Sequence, residues 1–213
     1  MPIYEFPRDK SVFINCPFDD DFRPLFESIV FSILCCGFYP RCAVESTSSA
    51  LPRIDRILQA ITNSKYSIHD LSRCRGEGAA NLGRFNMPLE LGMAIMAERF
   101  PGRKRGYEHD WLLLVPSGHT YQRFVSDLAG YDPMEHDETP QSVVPQVMSW
   151  LETRPDATPT PTPSNVLEAL PVFNSALERL SGEWCGRVPW IHLISIGLEV
   201  GKKTGLVVME MDL

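Results

Sequence analysis

No apolar run in this sequence approaches the ~18 residues that a membrane-spanning helix requires, and no basic-then-apolar leader opens it. Membrane insertion and secretion are therefore not expected, and the chain reads as cytoplasmic. Basic residues are also scarce: 20 Lys and Arg stand against 27 Asp and Glu, for a formal net charge of −7. No Lys/Arg cluster is denser than Arg99–Arg105, so the footprint of a duplex-binding protein is missing. The six cysteines (Cys16, Cys35, Cys36, Cys42, Cys74 and Cys185) include no CxxC pair and no other metal-type spacing. No structural metal and no disulfide framework are expected, and the thiols read as reduced and mostly buried. Neither GxGxxG nor GxxxxGK[ST] follows the first apolar run, which removes a dinucleotide fingerprint and a P-loop. Without GxSxG or HExxH, serine-nucleophile and zinc hydrolysis lose their markers too.

What is present is an alternation. Ser11-Val12-Phe13-Ile14-Asn15-Cys16, closed by Pro17, is a short apolar run that suits a buried parallel strand. The acidic loop Phe18-Asp19-Asp20-Asp21 leads into a helix carrying Phe22, Leu25, Phe26, Ile29, Val30, Ile33 and Leu34. After Gly37 comes a second strand from Phe38 to Val44, then a polar loop through Ser49. A second helix places Leu51, Ile54, Ile57, Leu58 and Ile61 on one stripe. Lys65 to Leu71 forms a third strand, Asp110 to Pro116 a fourth, and Met134 to His136 a short edge strand. Helices are expected from Thr120 to Leu128 and from Ser142 to Leu151. Strands and helices in this cadence call for a parallel sheet covered on both faces, a flavodoxin-like α/β fold with strand order 2-1-3-4-5.

Composition shifts after residue 152. The segment 153–164 holds four prolines and no apolar face, and reads as a stiff, extended linker between an α/β domain (1–152) and a mainly helical extension (165–213). Within the extension, Asn165 to Leu180 is an amphipathic helix, followed by Trp184, Trp190 and the apolar run Ile191 to Leu198. About fifty residues cannot bury that much apolar surface alone, so the extension is expected to dock on the main domain, on a second copy or on a partner protein.

The most informative stretch is Phe85-Asn86-Met87-Pro88-Leu89-Glu90-Leu91-Gly92-Met93-Ala94-Ile95-Met96. Asn86 can cap a helix, and Pro88 is preset to a helical φ just inside its start. Leu89, Met93 and Met96 recur at spacings of four and three, Leu91 and Ile95 at four, which predicts a helix buried over most of its surface. One carboxylate, Glu90, stands in this apolar turn, with the small Gly92 leaving room beside it. It fits two uses: complementing the helix dipole, worth about 0.3–1 kcal/mol, or chemistry.

In an open parallel sheet, ligands bind outside the carboxyl ends of the strands where the strand order reverses. Cys16, Phe18, Asp19, Glu45, Asp70, Arg73, Phe85, Asn86 and Glu90 all fall on those ends. Each has a plainer use: Asp19 to Asp21 can cap a helix, Glu45 can be a surface acid, and the arginines can be solvated. His69, in the opposite phase of the pleat from Asp70, reads as a satisfied, half-buried histidine. An arginine beside the crevice suits a phosphate.

Val12-Phe13-Ile14-Asn15-Cys16-Pro17-Phe18-Asp19 resembles the opening strand and loop of TIR-like domains. Ser67-Ile68-His69-Asp70, together with Asn86-Met87-Pro88-Leu89-Glu90-Leu91-Gly92-Met93-Ala94, resembles the acidic strand end and E-L-G-x-A helix of nucleoside 2-deoxyribosyltransferases. The similarity spans roughly residues 10–150. It implies a flavodoxin-like core and a glutamate acting at the anomeric carbon of a ribosyl–base bond. Two features depart from the pattern: the loop from Ser72 to Arg84 is long and rich in Arg and Gly, and Met-Pro-Leu stands where TIR-type proteins carry an aromatic-Cys before the glutamate.

The resemblance implies Glu90 and Asp70 as catalytic carboxylates, with Cys16, Phe18, Asp19, Glu45, Arg73, Phe85 and Asn86 around the substrate. It implies an N-glycosidase or glycosyltransferase acting on NAD or on a nucleoside or nucleotide, with no separate cofactor, and a setting such as antiphage defence. The alternatives are a nucleotide-sensing module without turnover and a TIR-type interaction scaffold, with homo-oligomers or a partner protein engaged through the extension.

Overall fold

A computed structural model describes residues 6–45, 50–76, 82–100, 108–186 and 188–207. Ser11–Asn15 (β1) is a strand with all five residues buried. It pairs in parallel with Tyr39–Cys42 (β2) on one side and Tyr66–Asp70 (β3) on the other. Asp110–Pro116 (β4) pairs with β3, and Met134–His136 (β5) with β4, all in parallel. The sheet therefore runs β2-β1-β3-β4-β5, the flavodoxin-like order that the alternation predicts. Pro40 sits opposite Val12 in β2, an edge strand, where a missing N–H is tolerated.

Among the described residues there are six α-helices: Arg23–Cys35 (α1), Arg53–Thr62 (α2), Asn86–Arg99 (α3), Pro140–Glu152 (α4), Pro163–Glu183 (α5) and Trp190–Lys203 (α6). Strand side chains alternate between faces. Val12, Ile14, Tyr66, Ile68, Leu112 and Leu114 meet α1 and α4, while Phe13, Leu113 and Val115 meet the side of α2 and α3. Outside α1 and α4 lies another layer, α5 and α6. Ten of the thirteen α1 residues are consequently buried. The two serines among them need no water, because Ser28 donates to Leu25 O at 2.8 Å and Ser32 to Ser28 O at 2.7 Å. Close approach of α6 depends on Gly197, where an added Cβ would stand 2.4 Å from Leu34 Cδ1, and the rings of Phe31 and Phe173 stack at 4.8 Å.

The proline-bearing linker is tied to the sheet's amino edge. Asp156 Oδ2 accepts from Tyr66 Oη at 2.5 Å and from Lys65 Nζ, and the Asp156 carbonyl accepts from Lys10. Thr158 packs against Gly37, whose φ of +79° suits glycine and whose absent Cβ would lie 2.2 Å from Thr158 Oγ1.

Several local expectations are revised. Thr120 to Leu128 is two short 3-10 turns, Thr120–Arg123 and Ser126–Leu128, in place of one helix. On α2 only Ile57 and Ile61 are buried. In the extension Trp190 and Ile194 are buried, Ile191 and Leu193 partly so, and Trp184 is exposed. The polar loop at 46–49, the middle of the arginine- and glycine-bearing loop (77–81) and the end of the apolar tail (208–213) lie outside the described residues. Among the described residues, no helix is long and apolar enough to cross a membrane.

Ile194, fully buried on α6, belongs to the same cluster as Val12 and Ile14 of β1. Ile194→Ala is expected to cost about 2–5 kcal/mol. Urea unfolding should show that loss in a single transition reported alike by near- and far-UV circular dichroism. A variant that melts the extension alone, leaving the main transition in place, would contradict this packing.

Candidate functional site

The third crossover places Glu90. After β3 the chain passes through the loop beginning at Leu71 and enters α3 at Asn86, one residue earlier than a cap at Asn86 requires. Phe85 occupies the cap position, no side-chain hydrogen bond closes it among the described residues, and Asn86 is exposed. The inward face of α3 is Met87, Glu90, Leu91 and Ala94, whereas Leu89 and Met96 point outward. The expectation of a helix buried nearly all round is thus corrected, and so is the role given to Gly92. Gly92 is exposed, with nothing within 4 Å of where its Cβ would stand, so it makes no room for Glu90.

Glu90 itself is 3% exposed. Its charged neighbour among the described residues is Arg53 of α2, whose Nη2 lies 3.7 Å from Oε1 and which is largely in solvent. Burial in an apolar setting pushes the carboxyl up to about 7, and Arg53 only partly opposes that. A carboxylate that exchanges its proton near neutrality is suited to acid–base or electrostatic work.

At the carboxyl end of β1, Cys16 is buried, and its thiol is held well above its ordinary range by burial and then by the charges of Asp70, Cys42, Glu90 and Asp19. The charges of Asp70, Glu90 and Asp19 thus all bear on the Cys16 thiol. Asp19 is firmly engaged. It accepts from Arg73 at 3.0 and 3.2 Å, from Arg84 at 2.9 Å and from the Phe22 N–H at 3.0 Å. The Arg73 hydrogen bonds hold its carboxyl below the usual range. Asp19 thus combines the plain use, closing the turn before α1, with anchoring two arginines of the next loop. On the far side of that loop Arg75 lies 2.8 Å from Glu138.

Asp70 is fully buried. Its Oδ1 accepts the Ser72 N–H at 2.8 Å, and its Oδ2 lies 3.0 Å from Nε2 of the equally buried His136, off the line of the N–H. His136 Nδ1 accepts from the Glu138 N–H at 3.1 Å, which places a ring proton on Nε2. In this setting Asp70 shapes the turn after β3 and meets no open space.

A second polar line crosses the other face of the sheet. Asn15 Nδ2 donates to the Met87 carbonyl of α3 and to His69 Nδ1, each at 2.9 Å. His69 Nε2 then bonds to Ser67 Oγ, and Ser67 Oγ to His109 Nε2, both at 2.8 Å. His109 Nδ1 ends the line on Ser64 O at 2.9 Å. With Asn15 a donor at one end and a carbonyl acceptor at the other, both tautomers follow: His69 is protonated on Nε2 and His109 on Nδ1. Burial lowers His69 to about 3 and His109 to about 4. Asn15, a polar residue directly after the apolar Val12-Phe13-Ile14, was the available signal for this line. His136 gave none.

Glu45 forms a buried pair with Arg41 at 2.7 Å, whose guanidinium also stands 5.5 Å over the Phe6 ring. Phe85 is exposed beside Asn86. Phe18, also exposed, lines a cavity of about 290 Å³ with Asp19, Val44, Phe26, Trp190 and Leu193, so α6 forms one of its walls. Among the described residues no group of three His, Cys, Asp or Glu is placed to hold a metal ion.

No protein-family model and no curated protein matches the chain.

Glu90 should leave a signature in stability. Its ordinary pKa of 4.5 rises to about 7 in the fold. Between those values the folded chain holds a proton that the unfolded chain has released, so its contribution is full below about pH 4.5 and is lost as pH rises toward 7. His69 and His109 act in the opposite sense: neutral in the fold, they contribute fully above their ordinary 6.5 and lose that as pH falls toward 3–4. The overlap makes the difference between wild type and Glu90→Gln the decisive quantity. Relative to wild type, Glu90→Gln should gain stability as pH rises from about 4.5 to 7, by up to ~3 kcal/mol. Chemical denaturation over that window checks it, and a pH-independent difference contradicts it.

Proposed function

We infer that the chain is an N-glycosidase or glycosyltransferase acting on the ribosyl–base bond of NAD or of a nucleoside or nucleotide, with Glu90 as its catalytic carboxylate. The observation that carries this reading is Glu90: a carboxylate 3% exposed, weakly paired with Arg53 and pushed up to about 7, on the helix that follows the third strand. The resemblance of Ser67–Asp70 and Asn86–Ala94 to nucleoside 2-deoxyribosyltransferases, and of Val12–Asp19 to TIR-like domains, supports the same chemistry.

In the reaction the bond from the anomeric carbon to the base nitrogen breaks, and its electron pair leaves with the base. Positive charge develops on the sugar. An ionised Glu90 stabilises that charge or attacks the carbon, and water or a second base completes the transfer. Phe18 offers an exposed ring against which the base can stack. Asp19 is held by Arg73 and Arg84 and presents them at the rim. Asp70 acts at one remove, by fixing the turn at the end of β3. Antiphage defence is the setting that the TIR resemblance offers.

Purified protein mixed with NAD and a nucleoside panel, followed by mass spectrometry, should show release of a free base. Glu90→Gln keeps the shape of the side chain and should lower turnover by roughly 100- to 1000-fold or more. Because the ionised form acts, kcat/KM of the wild type should rise with pH through about 7. A folded Glu90→Gln protein that retains turnover within tenfold of wild type would overturn the assignment. Ligand-induced thermal stabilisation without any turnover would move the reading to a nucleotide sensor.

A further inference from the structure

The outward face of α3 carries more apolar surface than a single chain explains. Phe85, Leu89, Met96 and Phe100 fall as a stripe on one helical face at spacings of four, seven and four, and Met93 between them is half-buried against the cluster of Phe13, Ile57, Ile61 and Ala94. Phe85 is 55% exposed, Leu89 58%, Met96 56% and Phe100 69%. The charged residues of the last turn do not interrupt it, since Glu98 accepts from Trp111 Nε1 at 3.2 Å and Arg99 donates to Tyr131 Oη at 3.0 Å. Beside α3, the α2 segment adds Leu51, Ile54 and Leu58, exposed by 38–41%.

We propose that this face is the interface through which two copies of the chain form a symmetric dimer, with the two α3 helices crossing antiparallel at Gly92 and Met93. Three observations select a second copy as the occupant. The stripe is nearly self-complementary about Met93: antiparallel pairing sets Leu89 opposite the partner's Met96 and Phe85 opposite the partner's Phe100. An isologous interface requires that pattern. The exposed apolar area on the two helices is on the order of 700 Å², taking ~200 Å² per large side chain, against about 800 Å² per partner in a standard interface. The third is Gly92. Glycine inside a helix costs about 0.5–1 kcal/mol relative to alanine. Nothing lies within 4 Å of its missing Cβ, so no packing within the chain calls for it. At a helix crossing it lets the two backbones approach closely.

The inference does not rest on the activity proposed for Glu90, which is buried on α3 while Leu89 and Met96 are exposed. Light scattering coupled to gel filtration should give twice the chain mass of 24.1 kDa at micromolar concentrations. A Cβ added at Gly92 has nothing within 4 Å among the described residues, and leucine is the better helix former. Gly92→Leu should leave the circular dichroism spectrum intact while raising the dimer Kd by roughly tenfold or more. The double variant Leu89→Glu/Met96→Glu should be monomeric. In a Cys185→Ser background, which removes the exposed native thiol, Met93→Cys should form an intermolecular disulfide on mild oxidation. A monomeric wild type overturns the proposal and leaves the stripe to a different protein. A dimer that survives both Gly92→Leu and the double variant also overturns it, and places association elsewhere, the C-terminal extension included.

Discussion

Asn15 and His69 face each other across β1 and β3, both buried, and neither could be buried there without the other. An unmatched buried donor or acceptor costs about 1–3 kcal/mol. Each of these groups has found a partner, from the Met87 carbonyl through two imidazoles to Ser64. Because every donor has one acceptor, the line is directional and fully satisfied, which is the condition under which buried polar groups specify a single arrangement. It also joins β1, β3, β4 and α3. The position of α3, and with it the position of Glu90, follows from that line as much as from apolar packing.

Against this background Glu90 is the exception. Asp19 is held by two arginines and a backbone N–H, Asp70 by the Ser72 N–H, and Glu45 by Arg41. The carboxylates around the carboxyl edge of the sheet are stabilised by partners at hydrogen-bonding distance, and Glu90 has a solvent-borne guanidinium 3.7 Å away. Burial therefore wins over pairing at Glu90, and its proton stays on to near neutral pH. A group kept in that condition is a poor choice for holding a helix in place and a suitable one for chemistry.

The strand order and the helical coverage were legible in the sequence because alternation and length are local properties. The satisfied state of His69 was legible too, from its phase in the pleat. Asp70 was less so. Its neighbour His136 arrives from β5, through a sheet register that no local pattern reveals, and the pair turns an accessible strand end into a closed one. On α3 the periodicity was real but double: Met87, Leu91 and Ala94 form one apolar stripe, and Phe85, Leu89, Met96 and Phe100 another. Spacing identifies both and cannot say which meets the sheet. That choice is made by Asn15, by the Met87 carbonyl and by the apolar side chains of the sheet's α2–α3 side. Thr120 to Leu128 shows the opposite failure, since a stretch with helical composition is broken into two 3-10 turns at Val125, whose φ of −136° and ψ of 75° leave the helical region.

The position of α1 between two layers has a consequence for synthesis. One side of this helix lies on the sheet, and the other is covered by α5 and α6, whose residues come well over a hundred positions later in the chain. At about 5–20 residues per second, α1 leaves the ribosome roughly ten to thirty seconds before α6 can reach it. Throughout that interval its outer apolar side chains, the ring of Phe31 among them, have no native partner. Closing contacts of such long sequence separation also slows folding. The nascent chain is thus an expected client of holding chaperones, for a reason set by the order of its elements rather than by any weakness of the finished fold.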